Sequence, residues 1–290
     1  MKKIFKNFFK NKSRIKEEKY TDLILPRIKY FSEKLKSKST ISFMHYGHLG
    51  DIVNSLPVIK EISNNKDCNL YIQKNKLIPK DIVSKDHPFG SVYLTENAII
   101  KILPLLKKQN FLKKVEILSN QEIDIDLNFF RELPINFNID SVRWYFHLTG
   151  CFADLSKNYL NVDCHPKFKN YIIIMRSLRR QNSFIDYSFL SSYKNIVFVG
   201  LRDEYEDLKK QVKNLEYYDS KDFLELAMII KNSKIFIGNL SFGYALAEAL
   251  KVPRLLESAP NFPLVYPNGN NAHDFYFQNH FENLVKKLYY

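Results

Sequence analysis

The chain has 290 residues, 45% apolar and 26% charged, a balance that excludes disordered and collagen-like classes and leaves one large or two medium globular domains. Its longest apolar runs, residues 171–175, 196–199 and 235–237, fall far short of the roughly 18 residues a membrane-spanning helix needs. The formal charge of +13 is uneven: residues 1–38 hold 13 Lys and Arg against Glu17, Glu18, Asp22 and Glu33, a net of +9, which leaves +4 for the rest of the chain.

A body so close to neutral, with no nucleic-acid-binding motif, argues against a nucleic-acid partner. Cys68, Cys151 and Cys164 are odd in number and widely spaced, with no C-x-x-C pair and no His at zinc-site spacing. They read as reduced thiols of a cytoplasmic protein, and the first 30 residues lack the apolar core of a secretory signal.

Residues 1–38 form a basic arm. Ile4, Phe5, Phe8 and Phe9 share one face if the segment is helical, with Lys2, Lys3, Lys6, Lys10 and Lys12 around them. Such a segment suits an anionic membrane surface, so residues 1–20 are a candidate peripheral membrane contact; an arm that packs its aromatics on the body is the equal alternative.

After the arm, residues 40–46 (TISFMHY) read as a buried strand and residues 47–51 (GHLGD) as a loop. Ile52, Val53, Leu56, Ile59 and Ile62 then recur at helical spacing. Weaker strands are expected at 70–73, 91–94, 115–118 and 123–127, and a helix at 141–150. In the second half, strands at 171–175, 196–199, 216–218, 235–237 and 254–256 alternate with helical patterns at 203–212, 222–231 and 244–250. This alternation specifies parallel sheets covered on both faces. The expected organisation is an arm (1–38), a first α/β domain (39–165), a second (166–275) and a C-terminal helix (276–290).

Five of the eight glycines, Gly47, Gly50, Gly200, Gly238 and Gly243, directly follow expected strands. Ligands of open α/β sheets bind at the carboxyl ends of strands, where glycine permits positive φ and close backbone approach, so these positions are expected to line a site.

The run from His48 to Pro57 (HLGDIVNSLP) resembles the N-terminal motif of the ADP-heptose:lipopolysaccharide heptosyltransferases, in which a Gly-Asp pair opens a helix carrying Leu-Pro. The order VFVG with Glu204, then FLELA, IFIGN and AEALKVP, follows the same family over residues 40–267. The resemblance implies a GT-B fold, two Rossmann-like domains facing a central cleft. It implies a glycosyltransferase that moves a sugar from a nucleotide-diphosphate sugar to a cell-surface glycan or glycolipid acceptor, with inversion and on the cytoplasmic side, where the family builds lipopolysaccharide. The donor is a substrate, and no cofactor is implied.

By this resemblance Asp51 is the catalytic base, with Gly47, His48 and Gly50 on the acceptor side. A carboxylate at a helix start also has the plainer role of an N-cap. Arg176, Arg179 and Arg180 follow the first strand of the second domain, where the family binds phosphate; the guanidinium fork suits phosphate oxygens. Gly200, Gly238, Asn239, Ser241 and Gly243 complete the expected nucleotide-sugar side, with Glu248 for the ribose hydroxyls. The family's Asp-Thr-Gly and following His are replaced here by Leu240, Ser241, Phe242 and Ala245. Asp124-Ile125-Asp126 has the D-x-D pattern of metal-dependent transferases, but its acids alternate with apolar residues as on a solvated strand face, and no metal is expected. Two alternatives stay open, a nucleotide-sugar epimerase and a non-catalytic binding module of the same fold.

Overall fold

The structure, a computed structural model, describes residues 21–79, 87–132, 141–259 and 267–290. The aromatic and basic residues expected at the membrane, residues 1–20, lie outside these. Residues 21–37 are helical (α1). There follow β1 (Thr40–His45), α2 (Leu49–Ser63), β2 (Asp67–Ile72), α3 (Glu96–Lys107), β3 (Lys114–Ile117), β4 (Ile125–Asp126), a 3-10 turn (Phe129–Glu132) and α4 (Ser141–Thr149). The second half has β5 (Ile172–Met175), β6 (Ile196–Val199), α5 (Arg202–Lys209), β7 (Glu216–Tyr218), α6 (Phe223–Lys231), β8 (Ile235–Asn239), α7 (Phe242–Leu250), β9 (Arg254–Glu257), β10 (Ala272–Phe275) and α8 (Gln278–Tyr289).

All named strand pairs are parallel. The first sheet has the order β3-β2-β1-β4 and the second β10-β9-β8-β5-β6-β7. β6 and β8 are buried along their whole length, because helices cover both faces. The halves are joined by packing of α2 on α7 and α3 on α6, and one apolar cluster containing Ile52 and Leu56 of α2 and Leu246 and Ala249 of α7 runs through the joint.

Three local expectations are corrected. Residues 91–94 make only an isolated bridge between Leu77 and Val92. α3 had escaped the pattern because Pro104 interrupts it; its apolar face (Ala98, Ile99, Ile102, Leu105, Leu106) and the Thr95 cap, whose Oγ1 accepts from Ala98 N at 3.2 Å, make the helix. Asp124 is not on a solvated face: it is buried, accepts from Ser42 N at 3.0 Å and pairs with Lys38 at 2.5 Å, while Asp126 accepts from Asn128 N at 2.8 Å. The D-x-D thus ties the end of α1 and the turn after β4 to the first sheet.

Each sheet reverses its strand order once, between β1 and β4 in the first and between β5 and β8 in the second. A crevice opens at the carboxyl ends of strands where the order reverses, because the loops on either side run in opposite directions. Both crevices are clamped by an asparagine. Asn128 Oδ1 accepts from Tyr46 N and Gly47 N, each at 3.1 Å, and buried Asn239 accepts from Ser177 N at 2.8 Å and donates to Ser177 O at 2.7 Å.

Candidate active site at the two switch points

α2 begins at Leu49, so Gly50 and Asp51 lie inside its first turn and Asp51 is the third helical residue rather than the N-cap. Asp51 Oδ2 accepts from His48 N at 3.0 Å, which satisfies the loop and suits the positive end of the helix dipole. The same oxygen is ion-paired with Arg131, on the 3-10 turn after β4. Oδ1 accepts no hydrogen bond from any described residue, which leaves it as the oxygen able to take up a proton. Burial opposes ionisation of Asp51, but Arg131 and then His48 and His45 outweigh it and hold the carboxyl below the usual carboxylate range. The group is ionised at neutral pH.

Arg131 was not visible as a site residue in the sequence, because it lies 80 positions from Asp51 in an unremarkable Phe-Phe-Arg-Glu. Its guanidinium sits over the rings of Tyr93 (4.9 Å) and Phe130 (5.0 Å), which fix its direction. A Cβ at Gly47 would lie 2.7 Å from Arg131 Nη2, 2.8 Å from His45 Cε1 and 2.9 Å from Asp51 Oδ2. The absent side chain at 47 is what lets base, arginine and histidine converge.

Behind them, His45 Nδ1 accepts from Gly47 N at 3.0 Å, so Nε2 carries the proton and donates to Tyr145 Oη at 3.0 Å; Tyr145 in turn donates to Asp51 O at 3.0 Å. Burial is the main reason that His45 titrates at about 3, and it stays neutral. His48 Nδ1 donates to Tyr93 O at 3.0 Å, and its ring stacks on His87 with centroids 4.2 Å apart. Burial first, then nearby positive charge, lowers both imidazoles, and Arg179 of the second domain contributes to each shift. The two switch points face one another because α2, which starts from the first, packs on α7, which starts from the second, with a Cβ at Gly50 only 3.8 Å from Ala245 Cβ.

On the second domain the loop after β5 turns at Ser177 into a 3-10 turn carrying Arg179 and Arg180. Burial and then the like charge of Arg179 lower the pKa of Arg180. Ser241 is the N-cap residue of α7, yet its Oγ makes no cap bond; that atom is buried and has no hydrogen-bond partner among the described residues. Glu204 in the first turn of α5 is 7% exposed, and burial raises it to about 7 against the opposing effects of Leu201 N–H, Ser177 and Arg179. It was noted in the sequence only as part of a motif; its burial is a tertiary property.

Several expected site residues have other work. Arg176 is buried and held bidentately by Glu257, Nε to Oε2 at 2.6 Å and Nη2 to Oε1 at 2.8 Å, with Tyr187 Oη and Asn182 N completing the carboxylate at 2.8 and 2.5 Å. It is an internal ion pair and has no fork left for phosphate. Glu248 is likewise consumed by Arg254 Nε at 2.6 Å, by Lys251 and by Asn268 N at 3.2 Å, so it does not reach a ribose. A Cβ at Gly238 would meet Met175 O at 2.6 Å, one at Gly243 would collide with the Met175 side chain, and one at Gly200 would meet the Phe198 ring at 2.9 Å. These three glycines serve packing of the protein on itself. Gly50 faces Ala245 Cβ at 3.8 Å, at the joint between the halves. None of the five has a positive φ, which occurs at Gly90, Gly150 and Gly269.

The architecture, two parallel sheets with opposed switch points, has counterparts among known proteins. A glycosyl transferase family 9 protein from Veillonella parvula superposes with a TM-score of 0.55 at 11% identity, over 86% of this chain and 89% of that one. The Escherichia coli ADP-heptose lps heptosyltransferase II gives 0.53 at 10% identity, over 86% and 98%. The heptosyltransferase TibC, described as dodecameric and iron-containing and solved with ADP-D-beta-D-heptose, gives 0.51 at 12%, over 81% and 62%. The fold is GT-B. No protein-family model and no curated protein sequence matches the chain. At such identities the likeness to these transferases is one of fold, and the chemistry must be argued from the residues. Among the described residues no cluster of three or more His, Cys, Asp or Glu could hold a metal ion.

Proposed function

We propose that the protein is a glycosyltransferase that moves a sugar from a nucleotide-diphosphate sugar, bound mainly by the second domain, to an acceptor hydroxyl presented by the first. The observation that carries the reading is the opposition of an ionised carboxylate, Asp51, to a cationic loop and an unused buried hydroxyl, Arg179, Arg180 and Ser241, across the two switch points. Inverting transfer needs both halves: a base on one face of the sugar and stabilisation of a departing diphosphate on the other.

In this scheme Asp51 Oδ1 takes the proton of the acceptor hydroxyl as its oxygen attacks the anomeric carbon. The bond from that carbon to the diphosphate oxygen breaks, and the nucleoside diphosphate leaves with the electron pair. Arg179 and Arg180 neutralise the new charge, with the Ser241 hydroxyl and the N–H groups at the start of α7 beside them. The cations are side chains, so transfer is proposed to be metal-independent. Arg131 keeps Asp51 ionised and aims it, at some expense of basicity. The acceptor class is a cell-surface glycan or glycolipid, made on the cytoplasmic side.

Glu204 favours one second reading. A nucleotide-sugar epimerase needs a second acid/base group near the donor, and a carboxyl titrating at about 7 on the second domain is suited to that. Recovery of an epimerised donor in the absence of acceptor would select it. Calorimetric titration with ADP, UDP, GDP and CDP tests the main reading at its first step: one diphosphate is expected to bind, with Arg179→Ala weakening it by about tenfold or more. Binding that is indifferent to Arg179 and Arg180 together would contradict the assignment.

A further inference from the structure

Between β2 and α3 the chain leaves the cleft end of the first sheet, and its residues 73–79 and 87–95 close on each other. The bonds are Asn75 N to Leu94 O at 2.9 Å, Ile78 N to Ser91 O at 2.9 Å and Tyr93 N to Lys76 O at 3.0 Å. This closure lays His87, Phe89 and Tyr93 beside the start of α2. There His48 stacks on His87 with centroids 4.2 Å apart, Phe89 meets His87 edge-on at 5.2 Å and Tyr93 meets His48 at 5.1 Å. His48 N also donates to Asp51 Oδ2 at 3.0 Å, so the stack stands next to the base. Neither imidazole has a task in the transfer scheme.

The hydrogen bonds of the two rings fix which nitrogen of each carries the proton. A carbonyl can only accept, so the 3.0 Å bond from His48 Nδ1 to Tyr93 O puts the proton on Nδ1 and leaves Nε2 with a bare lone pair. His87 is the reverse: its Nδ1 accepts from Phe89 N at 3.1 Å, so its proton sits on Nε2. Burial is the main reason that both rings stay neutral at pH 7, which is what keeps the two tautomers distinct. Neither Nε2 bonds a described residue, and both rings are half-buried rather than enclosed.

The stack therefore offers one acceptor and one donor on adjacent rings. A hydroxyl both donates and accepts, so two neighbouring hydroxyls of one sugar ring satisfy both atoms. A carboxylate or a sulfate has no proton for His48, and an ammonium has no lone pair for His87. We infer that His48 and His87 read two adjacent, uncharged hydroxyls of the acceptor sugar, beside the hydroxyl that Asp51 deprotonates. His48 Nε2 accepts from one and His87 Nε2–H donates to the other. That the diol belongs to the acceptor rests on the transferase reading; the opposite polarity of the two rings does not.

Nitrogen NMR of the full chain with isotope-labelled histidine tests this, the signals being assigned with His48→Asn and His87→Phe. The free protein at neutral pH should show His48 protonated on Nδ1 and His87 on Nε2. Titration with the methyl pyranosides of mannose, glucose and galactose should shift both imidazoles with at least one glycoside and protonate neither, while sodium acetate and sodium sulfate at equal concentration leave them in place. His87→Phe keeps a ring on the stack and removes the donor; His48→Asn keeps a donor for Tyr93 O and removes the acceptor. Each should weaken glycoside binding about three- to tenfold, the worth of one hydrogen bond, and His87→Gln, which returns an N–H near the lost one, should recover part of it. The opposite tautomer at either ring, no response to any of the three glycosides, a stronger response to acetate, or unchanged affinity in both variants would each overturn the inference. Those outcomes leave nucleoside diphosphate binding in the native protein untouched. Loss of that binding with the glycoside response intact would instead remove the transferase reading and keep the diol site.

Discussion

Gly47→Ala is the substitution whose effect follows most directly from the geometry. The backbone at 47 lies outside the left-handed region, so alanine brings no conformational penalty, only a methyl group. That methyl would stand 2.7 to 2.9 Å from Arg131, His45 and Asp51. None of the three yields easily: His45 is fully buried between Gly47 N and Tyr145, and Arg131 is clamped over two rings. Overpacking of this kind costs about 1–3 kcal/mol. The easiest relief is to push Arg131 off Asp51, which also raises the pKa of Asp51 and misplaces the base; an error near 1 Å costs on the order of 100-fold in rate. Gly50→Ala is the internal control. Its methyl would meet only Ala245 at 3.8 Å, and in a helix it should be neutral or stabilise by up to about 1 kcal/mol. Urea unfolding and donor turnover of the two variants make the comparison. If Gly47→Ala is as mild as Gly50→Ala, the convergence of Arg131 and Asp51 around residue 47 is wrong.

Glu257→Gln should destabilise the fold by about 3–5 kcal/mol in urea unfolding, with or without nucleotide, because it strands the buried Arg176. Ser241→Ala should change stability by less than about 1 kcal/mol, since the hydroxyl makes no bond to lose, yet weaken diphosphate binding about tenfold by calorimetry. Glu204 has a folded pKa of about 7, above its ordinary 4.5, so the native state holds this proton more tightly than the unfolded chain. Its contribution is complete below pH 4.5, is lost as pH rises towards 7 and is flat beyond, a change on the order of 3 kcal/mol. Urea midpoints against pH should show this slope in the native protein and a flatter profile in Glu204→Gln.

The second sheet was legible because β5, β6 and the Ile-Phe-Ile run that opens β8 are short and wholly apolar, with clear helical periods between β6 and β8, and full burial leaves little else such runs can form. The first half was less so: Pro104 hid a helix whose identity is set by its buried face, and β10, Ala-His-Asp-Phe, has no apolar run. At the site, Asp51 and His48 could be found because the motif keeps them three residues apart. Their partners could not, since Arg131, Tyr145 and His87 come from turns, helices and loops far along the chain. The expectations for Arg176 and Glu248 failed for one physical reason: a charged residue at a strand or helix end reads the same whether it faces a ligand or is neutralised internally, and only the positions of Glu257 and Arg254 decide. The glycines misled in the same way, since close approach to Met175 or to Phe198 imposes the same missing side chain as close approach to a phosphate.

The central claim is that this cleft breaks the bond between a sugar and a nucleoside diphosphate with Asp51 as base. Turnover of a panel of nucleotide-diphosphate sugars, read as nucleoside diphosphate released in the presence of glycan and glycolipid acceptors, tests it when run on the native protein and on Asp51→Asn. The account predicts release from at least one donor by the native protein and a loss of 100-fold or more in the variant, roughly the contribution of a general base, with diphosphate binding retained. Equal turnover by both proteins would contradict it.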